Sequence, residues 1–383
     1  MPGLADTIGR LSQLRGKLPQ AGFVTGVDRL TDIDDFGSNP GGLRARTYIP
    51  QGLKPGSPLV VVLHGCTQTA AGYDHGAGWS TLADQHGFAL LFPEQTRANN
   101  PNLCFNWFLP PDIQRDQGEA LSIYQMVMAL QALHQLDTDR AFVTGLSAGG
   151  AMTSVMLATY PEVFAGGAII AGLSYGVASS VPEAFGAMQG SGSADPVMMA
   201  AKVRSASGHS GRWPIVSVWH GSGDRTVAAS NGRAIVEQWR AVHGLPETPS
   251  ESTSVGTASR DIWRDAEGRA ILEELVIPGM GHGTPVQPSA EGGGVSGAYM
   301  LDVGISSSLE ICRFWDIETG SVAAAAVKAA APSKSRVATA SAKNSAPRGA
   351  SRPAARKAPP EAPAETGVTK VINDALRAAG LMR

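Results

Sequence analysis

The stretch Arg140–Met152 reads RAFVTGLSAGGAM: a short apolar run, a glycine, a serine, then small and apolar residues. Arg140–Gly145 is expected to be a buried strand and Ala148–Thr159 a helix, because the first run is short and continuous and the second spaces its apolar side chains by three and four. Gly145, Ser147 and Gly149 then form a GxSxG turn between strand and helix. Small residues let the chain reverse sharply there, and the serine hydroxyl projects at the helix start, the setting of an activated serine nucleophile. A glycine-rich turn with a serine helix cap would use the same residues, so partners for Ser147 must come from elsewhere in the chain.

The strand pattern recurs on both sides. PLVVVLHG (Pro58–Gly65), FALLFPE (Phe88–Glu94), FAGGAIIAG (Phe164–Gly172) and PIVSVWHG (Pro214–Gly221) are short apolar runs of the kind buried on both faces of a parallel sheet. Helical spacing separates them over Trp79–His86, Glu119–Leu136 and Ser230–His243, with shorter helices expected over Pro196–Arg204 and Ser306–Trp315. ILEELVIPG (Ile271–Gly279) alternates more and is expected to be a late strand, while LRARTYIP (Leu43–Pro50) alternates as an edge strand does. Strands and helices in turn require right-handed crossovers, so the fold class is α/β: a mostly parallel open sheet with helices on both faces. Ser174–Ser210 is rich in Ser, Gly, Ala and Met and carries little periodicity. No insertion between strands reads as a lid, which predicts an open cleft.

In open α/β sheets, ligands bind beyond the carboxyl ends of the strands. A serine hydroxyl is a weak nucleophile near neutral pH and needs a histidine base oriented by a carboxylate. Both follow downstream: Asp224 in HGSGDRTV, just past the strand ending at Gly221, and His282 in GMGHG, just past the last apolar run. The order Ser, Asp, His is that of α/β hydrolases and differs from those of chymotrypsin and subtilisin. His64 and His220 each precede a glycine at a strand end and are expected to satisfy loop backbone. His243, near a helix end, is expected to be solvated or to complement the helix dipole. Attack on an ester carbonyl creates an oxyanion, held in this topology by the amide after the nucleophile and by one from the loop after an earlier strand. Ala148 supplies the first, and in HGCTQTA the Cys66 amide is the candidate for the second. Trp107, Tyr175 and Trp219 lie beside these motifs as candidate walls of a substrate pocket.

Composition bounds the rest. Of 383 residues, 43% are hydrophobic and 17% charged, and no run of about 18 apolar residues is present to span a bilayer. The net charge of -2 conceals a division: residues 321–383 hold 11 Lys and Arg against 3 Asp and Glu, whereas the preceding part holds 20 basic and 30 acidic residues. With 20 Ala and no aromatic residue, that last segment has too little apolar area to offset chain entropy and is expected to be a disordered tail. The expected division is an amphipathic helix over 1–22, a catalytic domain over 23–320, a linker rich in Ala, Pro, Lys and Arg over 321–366, and a short amphipathic helix over 367–383. Spread positive charge would draw the tail to an anionic surface such as a polymer granule coat. Cys66, Cys104 and Cys312 are too few for a disulfide framework and too scattered for a zinc site, so no metal or cofactor is implied. Leu4, Ile8, Leu11 and Leu14 are spaced helically without the apolar run of a secretory signal. The expected compartment is the cytoplasm, with an extracellular location as the alternative.

Together, LHGCTQTA (Leu63–Ala70), CFNWF (Cys104–Phe108), GEALSI (Gly118–Ile123), GLSAGGAM (Gly145–Met152), HGSGDRTV (His220–Val227) and GMGHG (Gly279–Gly283) resemble the poly(3-hydroxybutyrate) depolymerase family of esterases, which also includes feruloyl and acetylxylan esterases. The resemblance implies an α/β-hydrolase fold and serine carboxylesterase activity. It places Ser147, Asp224 and His282 at triad positions and the Cys66 amide in the oxyanion hole. It also implies pairing of Cys66 with Cys104, which a reducing cytoplasm would oppose, leaving free thiols as the alternative. The substrate it implies is poly(3-hydroxybutyrate), its oligomers or similar short-chain hydroxyalkanoate esters, with feruloyl or acetylxylan esters as the alternative. A different class of function, a non-catalytic granule- or polyanion-binding protein working through the basic tail, predicts a broken triad; here all three residues are present.

Overall fold

The structure is a computed structural model and describes residues 26–191 and 195–317. The helix expected over 1–22 and the linker and helix expected over 321–383 lie outside the described residues.

The central sheet has 10 strands: β1 (Thr31–Ile33), β2 (Arg44–Tyr48), β3 (Leu59–Leu63), β4 (Ala89–Glu94), β5 (Ala141–Leu146), β6 (Gly166–Ile170), β7 (Ile215–Gly221), β8 (Glu251–Val255), β9 (Ala258–Arg264) and β10 (Ala270–Ile277). Their spatial order is β1-β2-β4-β3-β5-β6-β7-β10-β9-β8. Strands β4 through β10 in that order are parallel to their neighbours, and antiparallel strands close each edge.

Alternation along the buried strands sorts side chains between two cores. Val61, Leu63, Val143 and Val218 face one side, and Val60, Val62, Phe142 and Trp219 face the other. The helices are α1 (Ala70–Ala77), α2 (Trp79–His86), α3 (Gly118–His134), α4 (Ala148–Thr159), α5 (Val181–Met188), α6 (Pro196–Ser205), α7 (Ser230–His243) and α8 (Ser307–Phe314). The first core is covered by α3, α4 and α7 through Ile123, Met152, Val155 and Trp239. The second is covered by α1, α2 and α8 through Tyr73, Trp79, Leu82 and Ile311. A small parallel pair, β11 (Thr284–Val286) and β12 (Met300–Asp302), follows the main sheet. Among the described residues no helix is long and apolar enough to cross a membrane.

Three differences from the sequence reading have physical causes. The strand expected at the edge, β2, is covered by the three-residue β1. At the far edge stands the hairpin β8–β9, turned at Gly256 with φ 55°; its first strand, ESTSV, is mostly exposed and so gives no apolar signal. Helix α5 was also not foreseen, since its residues VPEAFGAM have only two fully buried side chains, Ala184 and Ala187.

Candidate active site

Ser147 follows β5 with φ 58° and ψ -117°. Such a backbone costs roughly 1–3 kcal/mol and persists only where its surroundings hold it. Here the Ser147 N–H donates to Ile170 O at 2.9 Å, and Ser147 O accepts from the Ala151 N–H at 2.8 Å. A Cβ on Gly149 would stand 2.2 Å from Leu63 O and 2.6 Å from His64 O, so only glycine lets α4 start against the end of β3. Because β3 lies between β4 and β5, the chain reverses its direction across the sheet there, and the loops carrying Cys66 and Ser147 diverge at a crevice.

Asp224 and His282 leave neighbouring parallel strands, Gly221 of β7 pairing with Ile277 of β10. Their loops are laced together: the Ser222 N–H donates to Ile277 O at 3.0 Å and the Gly223 N–H to Met280 O at 2.9 Å, while Ser222 Oγ accepts from the Gly279 N–H at 2.8 Å. A Cβ on Gly221 would lie 2.2 Å from Met280 O. Asp224 Oδ2 is 2.7 Å from His282 Nδ1, and Oδ1 accepts from the Thr226 and Val227 amides at 2.8 and 3.0 Å. His220 Nε2 donates to Val227 O at 2.9 Å and lies 3.5 Å from Asp224 Oδ2. Burial raises the Asp224 carboxyl, but the bonds from His220, His282 and the Val227 amide outweigh it and hold the group far below the usual carboxylate range. A buried, firmly ionised carboxylate fixes the proton of His282 on Nδ1 and leaves Nε2 as the basic nitrogen.

Ser147 and His282 line one small cavity of about 210 Å³ together with Gly65, Cys66, Gln68 and Tyr299. On the other side, Ser147, Ala148 and Cys66 open onto a cleft of about 610 Å³ whose further walls include Trp107, Phe108, Phe185 and Met188. Ala148 is the first residue of α4, where an amide has no partner within its own helix. In the facing loop the Gly65 amide donates to Gln68 Oε1 at 2.7 Å and the Thr67 amide to Asn102 O at 2.8 Å; Cys66, between them, borders both cavities.

Several readings are corrected. Trp219 is fully buried in the second core, with its Nε1–H donating to Ser217 Oγ at 2.8 Å, and lines neither cavity. Tyr175 also lines neither: its amide donates to Gln238 Oε1 at 3.0 Å and its hydroxyl to Ile113 O at 3.3 Å, which turns it into the core side of the loop. Trp107 does line the larger cleft. That cleft is narrowed by α5, contrary to a site without a covering insertion; Asn231 Nδ2 pins the helix by donating to Ala187 O at 3.0 Å. His243 is not a charged cap of α7, since burial lowers it to about 4 while its Nε2 meets Pro214 O at 3.1 Å. Cys66 and Cys104 form a disulfide, and Cys312 is buried separately.

Sequence reasoning missed Gln68 and Tyr299 as walls of the smaller cavity. It also gave no role to Glu119, although GEALSI stood out as a motif. Fully buried, Glu119 accepts from Gln95 Nε2 at 2.6 Å, Asn99 Nδ2 at 3.0 Å and the Asn106 amide at 2.8 Å. Burial, with the Asp112 charge beside it, pushes it up to about 8 against those bonds.

Residues 44–259 match the family described as esterase PHB depolymerase. The chain is 48% identical over 294 residues to poly(3-hydroxyalkanoate) depolymerase C of Paucimonas lemoignei, covering 76% of this chain and 71% of that one. It is 30% identical over 279 residues to feruloyl esterase B of Talaromyces stipitatus, covering 68% and 74%. Its fold is similar to that of the acetyl xylan esterase from Aspergillus awamori, with a TM-score of 0.65 and 27% identity over 75% of this chain and 99% of the other. Strands β3, β5 and β7, which precede Cys66, Ser147 and Asp224, lie within the family match, and the chain thus belongs to the esterase PHB depolymerase family, as a carboxylic ester hydrolase of the α/β-hydrolase fold.

Proposed function

We propose that hydrolysis proceeds through an acyl-enzyme on Ser147. Ser147 Oγ attacks the ester carbonyl carbon while His282 Nε2 takes its proton and then gives it to the departing alkoxide. Asp224 keeps the imidazole in the required tautomer and balances its positive form. The amides of Cys66 and Ala148 receive the oxyanion, and a water activated by His282 releases the acid and restores the serine. The observation that carries this reading is the 2.7 Å bond from His282 to a buried Asp224, with His282 and Ser147 on one cavity wall.

The substrate class we assign is a hydroxyalkanoate polyester or its oligomers. Support comes from the 48% identity to a poly(3-hydroxyalkanoate) depolymerase and from an apolar cleft open beside the oxyanion amides. A feruloyl ester is the second reading, favoured by the aromatic walls Trp107, Phe108 and Phe185. Parallel rates on 3-hydroxybutyrate oligomers, amorphous polymer, methyl ferulate and acetylated xylan separate the two. The highest kcat/KM is expected on the hydroxybutyrate substrates; a higher value on methyl ferulate would move the assignment. The Cys66–Cys104 disulfide supports an oxidising, extracellular compartment over the cytoplasm. Mass measurement of the chain recovered from its native host, before and after reduction, checks this: a fully reduced chain would return the protein to the cytoplasm.

A further inference from the structure

The small cavity beside Ser147 and the larger apolar cleft serve different halves of the ester. Once Ser147 Oγ has added to the carbonyl carbon, that carbon also bears an oxyanion, the leaving oxygen and the acyl chain, and each needs its own place. The oxyanion points at the Cys66 and Ala148 amides. The leaving oxygen must lie within reach of His282 Nε2, which protonates it. His282 borders the small cavity of about 210 Å³ and not the larger cleft. The alcohol half of the ester therefore enters the small cavity, and the acyl half extends into the cleft walled by Trp107, Phe108 and Phe185.

Two side chains on the wall of the small cavity have hydrogen-bonding capacity that the protein leaves unused. The Gly65 backbone N–H donates to Gln68 Oε1 at 2.7 Å, which fixes the side-chain amide with Nε2 as its free end. Among the described residues neither Gln68 Nε2 nor the Tyr299 hydroxyl has a hydrogen-bond partner, and both residues are half-buried. Tyr299 has φ 60°, a backbone that L residues rarely adopt. Its carbonyl is held by the Thr284 N–H at 2.8 Å, and Thr284 Oγ1 lies 3.0 Å from the buried Tyr73 hydroxyl. The Tyr299 ring stands edge-on to the His282 imidazole, with centroids 6.2 Å apart. Burial raises the Tyr299 hydroxyl above its ordinary value, so it keeps its proton and can donate.

We propose that this cavity is the alcohol-side subsite, where Gln68 Nε2 and Tyr299 Oη donate to a neutral carbonyl carried by the leaving alcohol, the ester carbonyl of the next 3-hydroxyalkanoate unit. The inference rests on the acyl-enzyme and polyester readings of the proposed function and adds how the leaving half is recognised. In a 3-hydroxyalkanoate chain the carbon bearing the departing oxygen is one methylene away from the next carbonyl, so an acceptor accompanies every leaving group at a short, fixed distance. A simple alcohol brings none. At about 210 Å³ the cavity is smaller than the roughly 300–1,000 Å³ of sites for drug-sized ligands, which suits one short repeat. Apart from the His282 imidazole, which Asp224 balances, its walls carry no cation among the described residues. The subsite therefore favours an ester carbonyl within a chain over a terminal carboxylate.

The test uses the full chain and three butyrate esters: methyl (R)-3-(butyryloxy)butanoate, its free acid, and (R)-4-methoxybutan-2-yl butyrate, which has the same skeleton without the carbonyl oxygen. All three form the same butyryl-enzyme, so differences in kcat/KM arise in the alcohol half. Each value is divided by the rate of that ester with hydroxide, which removes intrinsic leaving-group reactivity. In the wild type the methyl ester is expected to exceed the methoxy ester by about 10–50-fold, the scale of two neutral hydrogen bonds, and the free acid to fall below the methyl ester. Tyr299→Phe and Gln68→Glu, the latter keeping the acceptor for the Gly65 amide, are each expected to cut that ratio by about 3–10-fold. A ratio cancels any change in absolute rate, and thermal transitions check folding. Equal wild-type values for the methyl and methoxy esters, a ratio unmoved in Tyr299→Phe, or a preference for the free acid would overturn the subsite. If Gln68→Glu fails to fold, Tyr299→Phe, which removes no hydrogen bond among the described residues, decides alone. Failure of the underlying readings looks different: all three esters inert to the folded wild type, turnover that persists in Ser147→Ala, or a higher kcat/KM on methyl ferulate than on hydroxybutyrate oligomers.

Discussion

At Ser147 the backbone is held in a conformation that L residues avoid, and the nearby glycine makes this possible. Gly149 leaves 2.2 Å between its would-be Cβ and Leu63 O, a distance no real side chain survives without moving β3 or α4. Gly149→Ala is therefore expected to destabilise the protein by about 1–3 kcal/mol, the range for overpacking, and to lower kcat as the elbow shifts. A urea titration with parallel activity measurement checks both, and an unchanged midpoint would contradict the close approach. Ser147, Asp224 and His282, which the structure brings to one site, stand out as candidates in the sequence because each is a polar residue in a glycine-punctuated turn after an apolar run. Trp219 was misread for a related reason. Nearness to a motif in sequence says nothing about which face of a strand a residue occupies, and Trp219 points into the core with Leu275 and Ile277.

At the scale of elements, the loop after β3 and the segment around Cys104 are joined covalently through Cys66, the residue whose amide is assigned to the oxyanion. The bond spans a sequence separation of 38. Constraint of an unfolded loop of that length is worth about 4 kcal/mol by chain entropy. Cys104→Ser, or a reducing agent, is expected to lower the unfolding free energy by up to that amount and to reduce kcat; a denaturant midpoint unmoved by dithiothreitol would contradict the linkage. The helices α2, α4 and α7 were legible to the residue and the parallel strands to within one or two residues at each end, since their burial is one-sided or complete and leaves a periodic imprint. The β8–β9 hairpin and α5 were not. The first strand of the hairpin is polar, and the larger apolar side chains of α5, Val181, Phe185 and Met188, face the cleft rather than the core, so tertiary partners such as β10 and Asn231 set their places rather than local pattern.

For the molecule as a whole, the buried Glu119 links folding to pH. Its folded pKa of about 8 lies above the ordinary 4.5, so between those values the folded protein retains a proton that the unfolded chain has released. The stability it contributes is fully present below about 4.5 and is lost as pH rises through about 8. Glu119→Gln is expected to flatten that part of the stability profile, as followed by thermal unfolding across the pH range; an unaltered slope would remove Glu119 as its source. The central claim is that two cores, split by one sheet, hold Ser147, Asp224 and His282 where a serine can be acylated. The most direct measurement is mass spectrometry of the protein quenched in acid shortly after mixing with p-nitrophenyl butyrate. The account predicts one butyryl group on the peptide carrying Ser147, and neither adduct nor turnover in Ser147→Ala. Turnover by a folded Ser147→Ala, or a butyryl group on a different residue, would contradict it.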